Sequence, residues 1–261
     1  MSTPKEPNFF SDNDQYRKGL DWYGSLFVAA PDGALLGEAS THYTKLPTYP
    51  DTVCRMHKFL PDARLIYVMR HPVDRLVSHY MHEWSMGVIS CDINEAVSRY
   101  PELIAYSQYA SQLQPYFETY GRENLLPVFF DRLIDSPQQE LERICGFIGY
   151  TGRSTWQTDL APSNISQERI LRFPLYTLLV SSTPMTYLRR TLVPQSWRKW
   201  VKKKLTMRKR PILKSAVRAS LEQEFDSDLK VLSNWLGVSL TCANFKLVTS
   251  ESNLDWSKRN A

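Results

Sequence analysis

The sequence predicts an α/β layered domain, a parallel sheet flanked by helices, and three observations lead there. Continuous apolar runs of strand length occur at Leu65–Met69, behind the turn signal Pro61-Asp62, and at residues 125–130, behind Gly121. Segments whose apolar residues recur at helical spacing follow them, so element types alternate along the chain with no internal repeat. That alternation favours layered α/β over a sandwich or a bundle. The composition agrees: 261 residues, 43% hydrophobic, 12% aromatic, 23% charged and only 10 Gly exclude collagen, coiled coil and disorder.

Taken in order, residues 35–40 form a weaker third strand candidate, ahead of the buried strand at Leu65–Met69. His71-Pro72 then opens a helix, with Pro suited to the first helical position. Val73, Leu76, Val77, Tyr80, Met81 and Trp84 make its sheet-facing side, and Asp74, Arg75, Ser78, His79 and His82 its polar side. Tyr106, Tyr109, Ala110, Leu113 and Phe117 mark a second helix, and residues 125–130 a second buried parallel strand. Ser136-Pro137-Gln138-Gln139 reads as a capping-box start for a third helix, with Leu141, Ile144, Cys145 and Ile148 inward and Gly149 or Gly152 as its stop. Residues 150–210, with four prolines, read as an irregular lid or substrate-facing region. A long helix follows from near Pro211, through Val217, Leu221, Phe225, Leu229, Leu232 and Leu236, to a Gly237 stop. The whole reads as one domain over 1–261: a core at 4–150, the irregular stretch 151–210 and the C-terminal helix 211–240.

Charge is unevenly spread. Of 32 Lys and Arg, eleven fall between Thr186 and Lys214 with no acid among them, which leaves 21 bases against 27 acids elsewhere. An acidic body with one basic segment points to an anionic partner held there: a phosphate-bearing ligand, an acidic glycan, nucleic acid or a membrane surface. Cys54, Cys91, Cys145 and Cys242 are scattered, with neither a CxxC clip nor a disulfide framework. With no apolar signal segment and no apolar run of about 18 residues, the reading is a cytosolic protein with reduced thiols. The five histidines lack partners at metal-ligand spacing, so no metal site is expected.

The nucleotide signatures GxGxxG and GxxxxGK[ST] and the GxSxG elbow are absent, which takes most of the support from dehydrogenase, classical kinase and α/β-hydrolase readings. What remains is the strand-to-helix junction at residues 65–80. Arg70 stands at the carboxyl end of a strand, beside a helix start that offers unpaired N–H groups and a positive dipole end to an anion. Ligands of open α/β sheets collect at that edge, and Ser78 can add a hydroxyl. The alternative is that Arg70 pairs with a structural carboxylate and Ser78 is a solvated helix residue.

Four segments in register resemble the sulfotransferases that use 3′-phosphoadenosine 5′-phosphosulfate. Arg70-His71-Pro72-Val73-Asp74-Arg75-Leu76-Val77-Ser78-His79-Tyr80 resembles their R-x-P-x-x-R-x-x-S-x-Y segment. Pro4-Lys5-Glu6-Pro7-Asn8-Phe9-Phe10, with Tyr16, Gly19-Leu20-Asp21-Trp22-Tyr23 and Phe27, is similar to the K-E-x-x-F-F block of the heparan-sulfate-type and bacterial branch. Gly37-Glu38-Ala39-Ser40-Thr41-His42-Tyr43 resembles its G-E-x-S-x-x-Y segment, and residues 125–149 its strand, acidic loop and capped helix.

The resemblance implies a P-loop-NTPase-like sulfotransferase fold with a parallel central sheet flanked by helices. It also implies in-line sulfuryl transfer from 3′-phosphoadenosine 5′-phosphosulfate (PAPS; product PAP) to a hydroxyl or amine of a carbohydrate, lipid or small-molecule acceptor. Arg70 and Ser78 would hold the 3′-phosphate, and Glu6 would be the catalytic base. The family's Gly-rich K-x-G-T-T phosphosulfate loop normally precedes K-E-x-x-F-F by a few tens of residues, whereas here only Met1, Ser2 and Thr3 precede Pro4. The chain is therefore expected to be truncated, without that loop and the first central strand. Ala39 stands where the E-K-[ST]-P version of the middle segment has Lys, and His42 or Lys45 are the candidates to substitute.

The basic run keeps several readings. Around Trp197, Trp200, Val201 and Leu205 it fits a solvated amphipathic helix over the core, peripheral contact with an anionic membrane or a grip on an acidic acceptor, and Arg208 to Arg210 are candidates for cofactor contact. No nucleic-acid partner is expected. The rival to the enzyme reading is an inactive relic of the fold that binds anionic surfaces through residues 186–214.

Overall fold

The computed structural model describes residues 1–158, 169–170, 206–207 and 210–256. The two apolar runs become strands β1 (Leu65–Met69) and β2 (Leu125–Phe129), paired in parallel from Leu65 opposite Leu125 to Met69 opposite Phe129. The chain reaches β1 through three helices, α1 (Asn13–Tyr16), α2 (Gly19–Ser25) and α3 (Thr52–Phe59). Between the strands run α4 (Pro72–Ser85), α5 (Ile93–Arg99), α6 (Glu102–Ala105) and α7 (Tyr109–Tyr120). After β2 come α8 (Phe130–Asp135) and α9 (Pro137–Ile148), then α10 (Ser215–Leu236) and α11 (Phe245–Glu251). Two short strands, β3 (Arg169–Ile170) and β4 (Thr206–Met207), pair antiparallel. This is an α/β arrangement with a parallel sheet flanked by helices.

α4 follows the sequence pattern closely. Pro72 occupies the first turn, and Val73, Leu76, Val77, Tyr80 and Met81 are buried as expected. They share a core with Met69, Phe129, Leu113 of α7 and Phe225, Leu229 and Leu232 of α10. α10 stops at Gly237, which takes left-handed backbone (φ 70°, ψ 23°) that a residue without Cβ adopts freely. α10 also caps α7 from 117 to 118 residues away. The carboxylate of Asp228 accepts from the backbone N–H of Ala110 (2.9 Å) and Ser111 (3.0 Å) and from the Ser111 hydroxyl (3.1 Å). Burial raises the pKa of Asp228, and those bonds only partly counter it.

Four expectations are corrected. Residues 35–40 are extended but carry no strand; Gly37 O accepts from Ser2 N (3.0 Å), and Leu35 and Leu36 are exposed. β1 is buried on one face only: Ile66 (40% exposed) and Val68 (51%) point to the side that no described element covers, whereas all of β2 is buried. The helix read from Tyr106 begins at Tyr109, because Tyr106 closes the separate turn of α6.

In α9 the buried residue is Glu140, not Leu141, Ile144, Cys145 or Ile148, which are half-buried. Two arginines neutralise that carboxylate, Arg132 Nε at 3.1 Å and Arg143 Nη2 at 2.5 Å. Ser136 precedes the helix without a side-chain cap bond, and the Gln139 side chain accepts from Arg132 Nη2 (3.2 Å). Gly149, not Gly152, is the stop.

A C-terminal arm fastens the back of β2. Trp256 Nε1 donates to Leu125 O (2.5 Å), Arg143 Nη1 to Leu254 O (3.3 Å) and Arg132 Nη1 to Ser250 O (3.4 Å). Most of the irregular stretch 151–210 and of the basic run 186–214, including Arg208 and Lys209, lies outside the described residues. Among the described residues no helix is long and apolar enough to cross a membrane.

Candidate active site

The carboxyl edge of β1 delivers Arg70 to the start of α4. Its backbone is clamped by Tyr109, whose hydroxyl accepts from Arg70 N (3.1 Å) and donates to Arg70 O (2.5 Å). The guanidinium lies 5.0 Å from the centre of the Phe130 ring, the residue that follows β2. No carboxylate lies within ion-pair distance of Arg70 among the described residues. The structural-carboxylate alternative therefore finds no partner here, and Asp131 acts on Arg70 only through space. Ser78 sits half-buried on the polar side of α4, and its hydroxyl makes no hydrogen bond among the described residues.

α4 begins at His71 without a side-chain cap, so its first-turn N–H groups have no acceptor from that side chain. The acid in this turn, Asp74, is held by Arg210 (2.6 Å) and by Lys246 of α11 (2.6 Å). Burial pushes Asp74 up, but the Lys246 hydrogen bond and the charges of Arg210, Lys246 and His71 outweigh it and hold the carboxyl below its ordinary range. Arg210, in the described part of the basic run, thus contacts the start of α4 through Asp74.

Glu6 lies elsewhere, in an irregular segment before α1. It is exposed, and Thr41 Oγ1 donates to its Oε2 at 3.2 Å. Glu6 (φ 52°) and Asn8 (φ 51°) both take left-handed backbone, which costs about 1–3 kcal/mol at Glu6 and is more readily tolerated by Asn. Phe9 and Phe10 anchor the segment in the core, stacked on Tyr23 (4.7 Å) and edge-on to it (5.1 Å).

The structure does not bring Glu6, Arg70 and Ser78 into mutual contact. It instead links Glu6 by charge to His42 and Lys45, and those two to the polar side of α4. Burial lowers the pKa of His42, helped by Lys45 and opposed by Glu6, Asp12 and Glu83. Burial likewise lowers Lys45, with Arg75 adding to the effect and Glu83 and Glu6 opposing it. Lys45 and Arg75 both lie over the Tyr106 ring, at 5.7 and 5.9 Å. Next to them His79 Nε2 meets Glu83 Oε1 at 3.2 Å. That bond lowers Glu83, while burial lowers His79 despite it.

His42 and Lys45 were both candidates to stand in for Ala39, and both belong to this cluster. Sequence reading placed Arg75 and His79 on a polar face without assigning them a role, and missed Glu83. The signal was there: 75, 79 and 83 are successive i, i+4 positions of one helix. The His42 ring also stacks on Tyr49 (4.7 Å), which lines an open cleft of about 420 Å³ between residues 11–14 and 48–51.

Comparison with known proteins identifies the family and the fold. A family model described as Sulfotransferase family matches residues 8–154, a stretch that contains Arg70 and Ser78 and begins two residues after Glu6. Heparan sulfate glucosamine 3-O-sulfotransferase 3A1 of Mus musculus is 31% identical over 153 residues, covering 55% of this chain and 38% of that protein. Heparan sulfate glucosamine 3-O-sulfotransferase 6 of Homo sapiens is 30% identical over 152 residues, 55% of this chain and 43% of that protein. Bifunctional heparan sulfate N-deacetylase/N-sulfotransferase 2 of Homo sapiens is 29% identical over 166 residues, 58% of this chain and 18% of that protein. The chain thus spans less than half the length of the curated relatives it matches. The crystal structure of a sulfotransferase from Alicyclobacillus acidocaldarius superposes with a TM-score of 0.60 at 22% identity, covering 92% of this chain and 85% of that one. That likeness shows a shared fold.

Proposed function

The chain belongs to the sulfotransferase family, and from that premise we propose that it serves PAPS-dependent transfer of a sulfuryl group to a hydroxyl or amine of a carbohydrate acceptor. The observation that carries the proposal is the edge at Arg70. A guanidinium without a carboxylate partner among the described residues stands there beside the uncapped start of α4, and the nearby Asp74 is already neutralised by Arg210 and Lys246. Those residues fit a terminal phosphate, the 3′-phosphate of the donor, with the Ser78 hydroxyl as a further donor on the same helix side.

When bound, the donor supplies an activated sulfuryl group; the chain's own residues bind, orient and manage protons. Glu6, exposed and oriented by Thr41, takes the proton of the acceptor hydroxyl or amine as it attacks. Lys45, coupled by charge to Glu6 and Arg75, is the cation assigned to the negative charge that develops during transfer. A carbohydrate is favoured because the matching relatives are named for heparan sulfate. The rival reading, an anion-binding relic acting through residues 186–214, gains no support, since the family match lies on 8–154.

The test is a mass-spectrometric transfer assay with PAPS and a panel of hydroxyl- and amine-bearing oligosaccharides. Transfer by the native chain, reduced by about 100-fold or more in Glu6→Gln with PAP affinity retained, is expected. No transfer to any acceptor overturns the activity for this chain, and unchanged turnover in Glu6→Gln removes Glu6 from its role.

A further inference from the structure

The segment that presents Glu6 has two residues in left-handed backbone, Glu6 (φ 52°) and Asn8 (φ 51°), and Glu6 is of a type that does not favour it. Such conformations persist where surrounding structure over-determines them. Three side chains from residues 40–43 supply that restraint. Ser40 Oγ accepts from Asn8 N (3.0 Å), Tyr43 Oη accepts from Phe10 N (3.4 Å), and Thr41 Oγ1 donates to Glu6 Oε2 (3.2 Å).

Two of these three are hydroxyls acting as acceptors, which requires their own protons to point elsewhere. Both protons go to one group. Glu38 Oε1 accepts from Tyr43 Oη, and Glu38 Oε2 accepts from Ser40 Oγ (3.4 Å). Tyr23, the ring against which Phe9 and Phe10 pack, stands near the same carboxylate, which adds to burial in raising the pKa of the Tyr23 hydroxyl. A hydroxyl carries one proton and two lone pairs. By taking that proton, Glu38 turns the Ser40 and Tyr43 lone pairs toward the amides of the strained segment.

We propose that Glu38 is a positioning residue for Glu6: its carboxylate orients the Ser40 and Tyr43 hydroxyls as acceptors, and these hold residues 6–10 in the conformation that presents the Glu6 carboxylate. In this role the effect of Glu38 passes through the segment, by way of the Ser40 and Tyr43 hydroxyls. This role rests on the reading of Glu6 as the base, and the test separates the two.

Two measurements are made on the full chain. The first is amide hydrogen exchange by NMR in Glu38→Ala and in the milder Glu38→Gln, which keeps the shape and one acceptor oxygen. Exchange at Asn8 and Phe10 is expected to speed up by about tenfold in Glu38→Ala and less in Glu38→Gln, with the amides of α7 and α10 unchanged. Unchanged exchange at Asn8 and Phe10, or equal acceleration across α7 and α10, overturns the proposal. If Glu38→Ala does not fold, Glu38→Gln alone decides on the same criterion.

The second is a double-mutant cycle on transfer turnover. Glu38→Ala is expected to lower kcat by about tenfold in the native chain while PAP affinity stays within about twofold, and to cost nothing further in the Glu6→Gln background. A loss that repeats in full in that background means Glu38 acts on the fold and not on Glu6, and the positioning role is wrong. If Glu6→Gln itself leaves turnover intact, the reading of Glu6 fails first and the positioning role falls with it, whatever the exchange data show.

Discussion

The two halves of the candidate site are built in opposite ways. At the Arg70 edge, regular elements do the positioning: β1 delivers Arg70, Tyr109 of α7 clamps its backbone, and the start of α4, as a helix end without a side-chain cap, presents its positive dipole end beside it. At Glu6 no element does so. An irregular segment with two left-handed residues is held by side-chain hydroxyls around Glu38. A site made by backbone tolerates change in its neighbours as long as the helix stands, whereas one made by a side-chain network fails when a single hydrogen-bond acceptor is removed.

Four predictions sharpen or break that contrast. The largest effect on stability belongs to the regular side. Glu140→Ala strands Arg132 and Arg143 beside β2 and is expected to cost about 3–5 kcal/mol in urea unfolding. A loss below about 1 kcal/mol would mean that the α8–α9 support is not what holds this side together. Next comes Glu6→Gln, which should reduce turnover about 100-fold or more with no change in melting temperature, because the exposed carboxylate contributes chemistry and not packing.

Third, Asp228→Ala removes the remote cap of α7, which carries Tyr109, and should cost about 1–3 kcal/mol. PAP affinity should weaken with it if the Arg70 edge depends on α7; full affinity in a destabilised variant would break that link. The smallest effect is expected at Asp74, because its partners Arg210 (47% exposed) and Lys246 (58%) are largely solvated: Asp74→Asn should cost less than about 1 kcal/mol. The folded-state pKa of Asp74 is lowered, so its contribution is present above the unfolded pKa and is lost as pH falls through the folded one. The gap between native and variant in urea midpoint should therefore be full at neutral pH and close below about pH 4. A gap that persists in strong acid would assign it to something other than this carboxylate.

The same contrast explains what could be read from sequence. β1, β2, α4 and α10 were legible because hydrophobic period and end signals act locally: the 3.6-residue recurrence of Val73 to Met81 and the Gly237 stop need no tertiary information. α9 was misread inward because Glu140 is buried only once Arg132 and Arg143 meet it, which apolar periodicity does not encode. Residues 35–40 are apolar enough for a strand, yet Glu38 and Ser40 turn to the hydroxyl network and no strand pairs there. Arg70 was found as a helix-edge cation from physics as well as motif, whereas Glu6 was found by motif alone. What positions Glu6 joins residues more than thirty positions apart, beyond the reach of any local pattern.

The most direct test of the account is a calorimetric titration of PAP into the 261-residue protein and its Arg70→Ala variant. The account predicts binding to the native chain, weakened by about 10-fold or more in the variant, as befits a lost charge-assisted phosphate contact. Equal affinity in both proteins, or no binding by either, would contradict it.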